Sequence, residues 1–314
     1  MLWKPKFAVV MAAAASSVML ATAVSVPHYV FTQANYPGAS LTNANGANLS
    51  QIVGYYTTPV GQTLGYIETG SSFITAQPAG SCSSYLFAIN GNGVGAGGFY
   101  PHGAPACGAP FAAHGYTYEY ATGAITTIDY PGAGSTAAYG INDSGVIVGG
   151  FCVQGVAGCP IDLTLGSSHA FMDDNGVFTQ LDFPGAELTT AFGINNAGAI
   201  VGIYTTTAVE HSFIYQNGVY ADLNYPGANW TIAQGINNAG VVVGYYQDTL
   251  DRVFGFMYYK GQWAQINARS GGSTAIIGIS NHNDLVGTWS GPGLNPAIKG
   301  VPTKSIPILQ NEAQ

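Results

Sequence analysis

The 314 residues carry seven Lys and Arg against fifteen Asp and Glu, a net charge of −8, and charged side chains make up only 7% of the chain. So few basic residues cannot form a phosphate-tracking stripe, which excludes nucleic acid as an expected partner. The same sign disfavours an anionic membrane surface.

Residues 1–23 read as a secretory signal. Lys4 and Lys6 form a basic end, residues 7–20 are apolar and small, and Ala21-Thr22-Ala23 fits a small-x-small cleavage site. The apolar run falls about one turn short of the roughly 20 residues that span a bilayer, and retention as an anchor is the competing reading. Cleavage leaves five basic residues against fifteen acidic ones, a net charge of −10, on a chain long enough for one large core. No other stretch is long enough to cross a membrane, so no membrane span is expected after cleavage and localisation should be extracellular or periplasmic.

A lone strand is predicted over 28–36, ending at Pro37-Gly38. A phrase then recurs, nearly verbatim as Gly-Ile-Asn-Asn-Ala-Gly, Val-Gly and an aromatic at 193–204 and 235–246, and degraded at 88–99, 140–151 and 278–289; a remnant ends at Tyr56. The glycine of the Val-Gly step falls at 54, 97, 149, 202, 244 and 287, giving steps of 43, 52, 53, 42 and 43 residues. A fixed period in this range decides the architecture before any single residue does. Each unit holds four short runs rich in Val, Ile, Phe, Tyr and Thr, in the fourth unit 189–195, 199–204, 210–215 and 219–225. Asn-Asn-Ala-Gly at 195–198 and Gln-Asn-Gly at 216–218 read as hairpin turns, their Asn and Gly residues tolerating positive φ. Pro-Gly-Ala, at Pro37, Pro131, Pro184 and Pro226, ends a strand because proline cannot donate to a ladder.

Four antiparallel strands in about 42 residues is the size of a propeller blade. The expected fold is therefore all-β, a six-bladed β-propeller of four-stranded antiparallel blades over residues 28–300, with 301–314 as a tail. The chain begins with an orphan outer strand and ends with an orphan third strand near 295–299, so the N-terminal strand should complete the last blade and close the ring, removing its open edge. The Gly-Ile-Asn strand is expected innermost, because its small residues suit crowding at the axis.

His169-Ala170-Phe171, Leu181-Asp182-Phe183-Pro184-Gly185-Ala186 and the Gly193–Gly198 phrase, with His211-Ser212-Phe213 in the next repeat, resemble the bacterial extracellular HAF repeat. The likeness spans essentially the whole mature chain; the first, second and last units depart from the pattern, and Gly271-Gly272 stands where Pro-Gly is expected. The resemblance implies export and a repetitive β-fold. It brings no activity, catalytic residue or cofactor, and no feature of the sequence calls for a metal.

Alternating strand direction sorts the loops onto two faces. Tight Asn-rich turns share one, the plain face. The Pro-Gly-Ala loops and both large insertions, 100–113 and 152–168, share the other, the loop face. Four cysteines in an exported chain favour disulfides; topology favours Cys82–Cys107 and Cys152–Cys159. Aromatics ending the second strands (Tyr55, Tyr100, Tyr204, Tyr246 and Trp289) are candidate ligand contacts, although a position repeated in every blade also suits inter-blade packing. His169 and His211 share a repeat position that elsewhere holds Phe254 or Leu64 and read as structural; Asp129 and Asp182 read as turn caps. His102, Asp162, Glu187, Glu210 and Asp248 are unrepeated polar residues, candidates for acid–base work if two carboxylates stand about 5–10 Å apart.

The sequence thus points to a secreted binding or surface-interaction module that engages an extracellular glycan or protein through its loop face. A polysaccharide hydrolase or lyase using the same face is the alternative, and a purely structural envelope protein a third.

Overall fold

The computed structural model describes residues 28–102, 113–153, 168–206, 209–292 and 295–303, and within them the chain is an all-β, six-bladed propeller. Strand β1 (Tyr29–Gln33) stands apart in the chain. Blade 1 holds β2 (Leu41–Ala47), β3 (Gln51–Thr57), β4 (Thr63–Thr69) and β5 (Ser72–Ala76), and blade 2 holds β6 (Ser81–Ile89), β7 (Val94–Pro101), β8 (His114–Glu119) and β9 (Ile125–Ile128). Blade 3 is β10 (Ala133–Ile141), β11 (Ile147–Val153), β12 (Ser168–Asp174) and β13 (Val177–Gln180). Blade 4 is β14 (Leu188–Ile194), β15 (Ile200–Thr206), β16 (Val209–Gln216) and β17 (Val219–Asp222). Blade 5 is β18 (Trp230–Ile236), β19 (Val242–Gln247), β20 (Val253–Tyr259) and β21 (Gln262–Ile266).

Blade 6 is β22 (Ser273–Ile279), β23 (Leu285–Ser290) and β24 (Ala297–Pro302), completed on its outside by β1, which pairs antiparallel with β24 from Tyr29↔Pro302 to Gln33↔Ile298. The ring is closed by its first strand. β24 also runs two residues past the expected boundary at 300: Val301 pairs with Val30, and Thr303 donates its N–H to His28 O at 2.8 Å. Residues 304–314, the rest of the expected tail, and the leader 1–23 lie outside the described residues. No helix among the described residues is long and apolar enough to cross a membrane.

The first strand of each blade is innermost, and all six carry an irregularity at one place. Pairing skips Asn45, Phe87, Tyr139, Phe192, Gln234 and Ile277, so each inner strand has a β-bulge there. In five blades the next residue is glycine, and the reason is proximity to the neighbouring blade. A Cβ on Gly278 would lie 2.4 Å from Asn45 O, and one on Gly140 2.7 Å from Phe192 O. Each glycine lets the following blade's bulged carbonyl approach the axis. Blade 2 alone has alanine, Ala88.

The Asn-Asn-Ala-Gly turns do more than reverse the chain. Only their glycine has positive φ, as at Gly198 (73°); the asparagines do not need the left-handed region. Asn195 Oδ1 accepts from Ala197 N and Ala199 N within its own turn, while its Nδ2 donates to Asn237 O in the next blade at 3.1 Å. The same inter-blade bond runs from Asn48 to Asn90 O, Asn90 to Asn142 O, Asn142 to Asn195 O and Asn237 to Ser280 O. A second row follows outside it: Asp143 N, Asn196 N and Asn238 N donate to the side-chain oxygens of Asn196, Asn238 and Asn281. The repeated phrase is thus both a turn and a joint between blades.

Gly278→Ala should destabilise the propeller by about 1–3 kcal/mol, because the added methyl presses on main chain that cannot rotate away. A lower urea midpoint at unchanged slope is the expected result; an unchanged midpoint would contradict the close approach.

Candidate functional site

The six bulges place their side chains around a central cavity of about 620 Å3. Its wall has three tiers. Towards the plain face, Ile89, Ile141, Ile194, Ile236, Ile279 and Ala47 form an aliphatic collar, from the Gly-Ile step in four blades, Gly46-Ala47 in blade 1 and Ala88-Ile89 in blade 2. Above it stand the bulged residues themselves, and towards the loop face Tyr55, Tyr85, Tyr100, Ile232, Tyr245 and Glu210 complete the lining.

The aromatic residues are not evenly spread. Tyr55 meets Tyr85 at 5.0 Å between ring centroids, Tyr85 meets Phe87 at 6.2 Å, Phe87 meets Tyr139 at 4.9 Å, and Tyr139 meets Phe192 at 5.3 Å. These contacts make a continuous arc across blades 1 to 4. Tyr55, Tyr85, Phe87 and Tyr139 are half-buried, so part of each ring remains accessible. The opposite wall, from blades 5 and 6, holds Gln234, Ile232, Tyr245 and Ile277. Among the described residues of the lining there is no Lys, Arg or His, and Glu210 is the one carboxylate.

The candidate ligand contacts from sequence divide into two groups. Tyr55 and Tyr100 line the cavity, whereas Tyr204, Tyr246 and Trp289 are packing residues. The Tyr204 ring stacks on Phe183 at 3.7 Å and 1°, and Tyr246 on Tyr225 at 3.7 Å and 7°. Tyr36–Tyr56 and Tyr130–Phe151 repeat the joint at 3.6 and 3.7 Å. In each, the aromatic before Pro-Gly leaves one blade and stacks on the second strand of the next. The Tyr204 and Tyr246 phenols donate outward, to Asp222 and to Gln265, and burial is the first cause that pushes both phenols well above the ordinary tyrosine range. Trp289 is 6% exposed within the core between blades 5 and 6. Strand alternation explains the division: Tyr55 and Tyr56 are neighbours pointing to opposite faces of one sheet. At Tyr100 the repeat position is Phe99, one residue earlier, which stacks on His114.

The histidines belong to the same joints. His169 pairs across the sheet with Phe151, and its Nδ1 lies 2.8 Å from Asp182 Oδ2; His114 and Asp129 repeat this at 2.9 Å. Asp182 is not a turn cap. Its other oxygen accepts Ala170 N, as Asn224 accepts Ser212 N and Asn35 accepts Ala297 N, stapling the third strand beyond the end of the outer one. An oxygen is all this role needs, which is why Asp and Asn alternate.

Of the acid–base candidates, Glu210 alone reaches the cavity among the described residues. His102 is exposed, its N–H bound to Gly80 O, and Glu187 is exposed on the Pro-Gly-Ala loop. Asp248 is committed to its own loop, accepting from Leu250 N and Arg252 N and pairing with the Arg252 guanidinium, which holds its carboxyl below the usual range. Asp162 lies outside the described residues. No group of three His, Cys, Asp or Glu among the described residues could hold a metal ion. Cys82 and Cys152 are buried at the loop-face ends of β6 and β11, and neither is a free thiol; Cys107 and Cys159 lie outside the described residues.

Sequence reading missed the bulge tier. The available signal was the residue before Gly-Ile or its counterparts Gly46-Ala47 and Ala88-Ile89, variable (Asn45, Phe87, Tyr139, Phe192, Gln234, Ile277) inside the most regular phrase of the chain.

No family model and no curated protein matches the chain. Solved structures resemble it in fold. TolB from Acinetobacter baumannii matches with a TM-score of 0.53 at 10% identity, over 82% of this chain and 64% of that one. An acylaminoacyl peptidase from Pyrococcus horikoshii matches with 0.53 at 11% identity, over 83% of this chain and 43% of that one. The β-propeller domain of the Trilobed protease from Pyrococcus furiosus matches with 0.50 at 8% identity, over 84% of each chain, and is described as having an open velcro topology. This chain instead closes its ring with β1. The chain spans less than two thirds of the first and well under half of the second. At these identities the likeness establishes the propeller fold and nothing finer.

Tyr204→Ala should cost about 3 kcal/mol or more of stability, as for other buried aromatic truncations, and Phe183→Ala should be non-additive with it. Independent, additive losses in a double-mutant cycle would argue against the inter-blade stack.

Proposed function

We propose that the chain is an exported binding module whose loop face admits the end of an extracellular glycan or protein ligand into the axial cavity. The observation that carries this reading is the cavity. Its volume of about 620 Å3 lies inside the range of roughly 300–1,000 Å3 typical of small-molecule sites. Rings and phenols converge there from several blades, a mixture of apolar area and fixed polar tips that suits the face of a sugar or a side chain. The isoleucine collar and the asparagine rows stand at the plain end, so on this reading entry is from the loop side, the side on which β7 and β11 end. Cleavage of acid–base type calls for two carboxylates about 5–10 Å apart, and the described lining brings one. Binding is therefore favoured over hydrolysis or lysis.

Export by the leader 1–23 belongs to the same reading, as do HAF-repeat kinship and the pairs Cys82–Cys107 and Cys152–Cys159, which would brace the two insertions beside the mouth. Partial reduction with peptide mapping should return those two pairs; crossed pairs would overturn the assignment.

Gln234→Trp tests the cavity itself. Gln234 sits at a bulge opposite the aromatic arc, so a larger ring there fills the cavity without touching the inter-blade stacks. Ligands retained by the natural protein on a glycan array, or from an extract of the producing cell's envelope, should be lost by at least about tenfold, since bulk in a filled site costs one or more kcal/mol. The unfolding midpoint should stay close to that of the natural chain. Undiminished retention would remove the axial reading.

A further inference from the structure

Both asparagine rows stop at the same joint. The first row crosses five of the six joints, from Asn48 in blade 1 round to Ser280 in blade 6. The second crosses four, from Gly91 N on Asp143 to Asn238 N on Asn281. Neither passes from blade 6 to blade 1 among the described residues. Ser280 stands where the other turns have asparagine, and its hydroxyl is occupied by His282 N and Asp284 N in its own turn. It has no amide to extend to Asn48 O. Leu49 stands where a side-chain oxygen would accept Asn281 N. We propose that the ring opens at this one joint, with β1 as a releasable strap, and that the joint is a side gate to the axial cavity.

Three further observations fall on the same joint. Its inner apolar cluster is Ala34, Ala44, Ile52, Val286 and Ala297, with no ring among them, whereas blades 3 and 4 meet over Tyr204 and Phe213 and blades 4 and 5 over Tyr246 and Phe256. The rings of this joint, Tyr56 and Tyr66, sit in a separate cluster with Tyr36, which follows the strap. Second, polar groups replace apolar ones. By register Lys299 takes the place of Ile67, Met172, Ile214 and Met257, and Glu68 the place of Tyr215 and Tyr258. Burial pushes the Glu68 carboxyl up, and the Lys299 ammonium acts against that. Glu68 Oε2 and Tyr66 Oη are buried without a hydrogen bond, a cost to the closed state that is relieved when the faces part and water enters. Third, every other pair of neighbouring blades is joined by continuous chain from outer to inner strand. Blade 6 meets blade 1 through β1, which holds to β24 by a ladder of five residue pairs.

The closed joint is a close fit, Gly278 against Asn45 O, and it separates without breaking a bond of either row. Asn45, Gly46 and Ala47 on one side and Ile277, Gly278 and Ile279 on the other line the cavity. Parting these faces therefore opens the cavity along its flank. Openings of this kind belong to the low-energy end of native-state motion, where few bonds must break. The gate concerns access to that space and stands whatever group fills it.

Thiol labelling of Ala44→Cys and Ala191→Cys, each in the folded full-length chain, reads the joint directly. Both alanines are 0% exposed and hold the same repeat position, Ala44 between blades 6 and 1 and Ala191 between blades 3 and 4. Without denaturant, and scored at the introduced cysteine by peptide mapping, Ala44→Cys should react at least about tenfold faster. Extending both rows with Ser280→Asn and Leu49→Asn should slow it by about tenfold or more, the effect of two hydrogen bonds of ordinary strength. In the unsubstituted chain, amide exchange in β1 should outpace that in β13 and β17, outer strands tethered at both ends. Equal labelling of the two cysteine variants would overturn the gate. So would labelling of Ala44→Cys that the double substitution leaves unchanged. Protection of β1 equal to that of β13 and β17 would overturn the strap. The axial ligand reading fails separately, if Gln234→Trp leaves retention unchanged, and that result touches neither labelling nor exchange.

Discussion

Six inner strands must pass close to one axis, and main chain meets main chain where they do. The carbonyl of each bulged residue projects towards the neighbouring inner strand. Only a residue with a hydrogen in place of Cβ accommodates the closest of these approaches, such as Gly278 against Asn45 O at 2.4 Å from a would-be methyl. Other features follow from that crowding. The bulge relieves the register next to the glycine and turns one side chain per blade towards the cavity. The asparagine of each turn, brought within reach of the next blade, binds its main chain. Hydrogen bonds and close main-chain contacts thus hold the blade spacing near the axis, together with the apolar clusters packed between blades.

Further from the axis the same spacing is held by aromatic stacking. The residue before each Pro-Gly step and the aromatic of the following blade's second strand lie face to face, with a histidine packed beyond in blades 3 and 4. These rings are spent on folding. The rings of the axial arc differ in kind: they come from bulge positions, from the first strand at Tyr85 and from the opposite face of the second strand at Tyr55, and all but Phe192 leave area uncovered. Two populations of tyrosine thus coexist in one chain, separated by strand alternation and by one extra residue in each inner strand.

Much of the architecture was legible in the sequence. The period gave six units, the order of strand types gave the shared blade, and the small residues of the Gly-Ile-Asn strand put it at the axis. In blade 4 the expected runs lie within a few residues of the strands. The outer strand stops at Asp222 rather than 225 because the Asn224 side chain replaces the ladder bond, accepting Ser212 N. Legibility ended at the site. Tyr204 and Tyr55 both end second strands, yet one is buried against Phe183 and the other lines the cavity. A one-residue offset, invisible in composition, separates Tyr100 from its repeat position at Phe99.

What the sequence determined by itself was periodic: strand count, turn chemistry, ring closure, and the two faces on which loops emerge. Each depends on local backbone preference and on repetition, which a linear text carries in full. The tertiary structure decided the destination of individual side chains. The bulge is a mismatch between two strands, so it exists only once they pair. The cavity is a gap between six strands, so it exists only once the ring closes. Glu210 joins its wall from blade 4 and Tyr55 from blade 1, more than 150 positions apart in the chain. Closure of the ring is what makes them neighbours of one space.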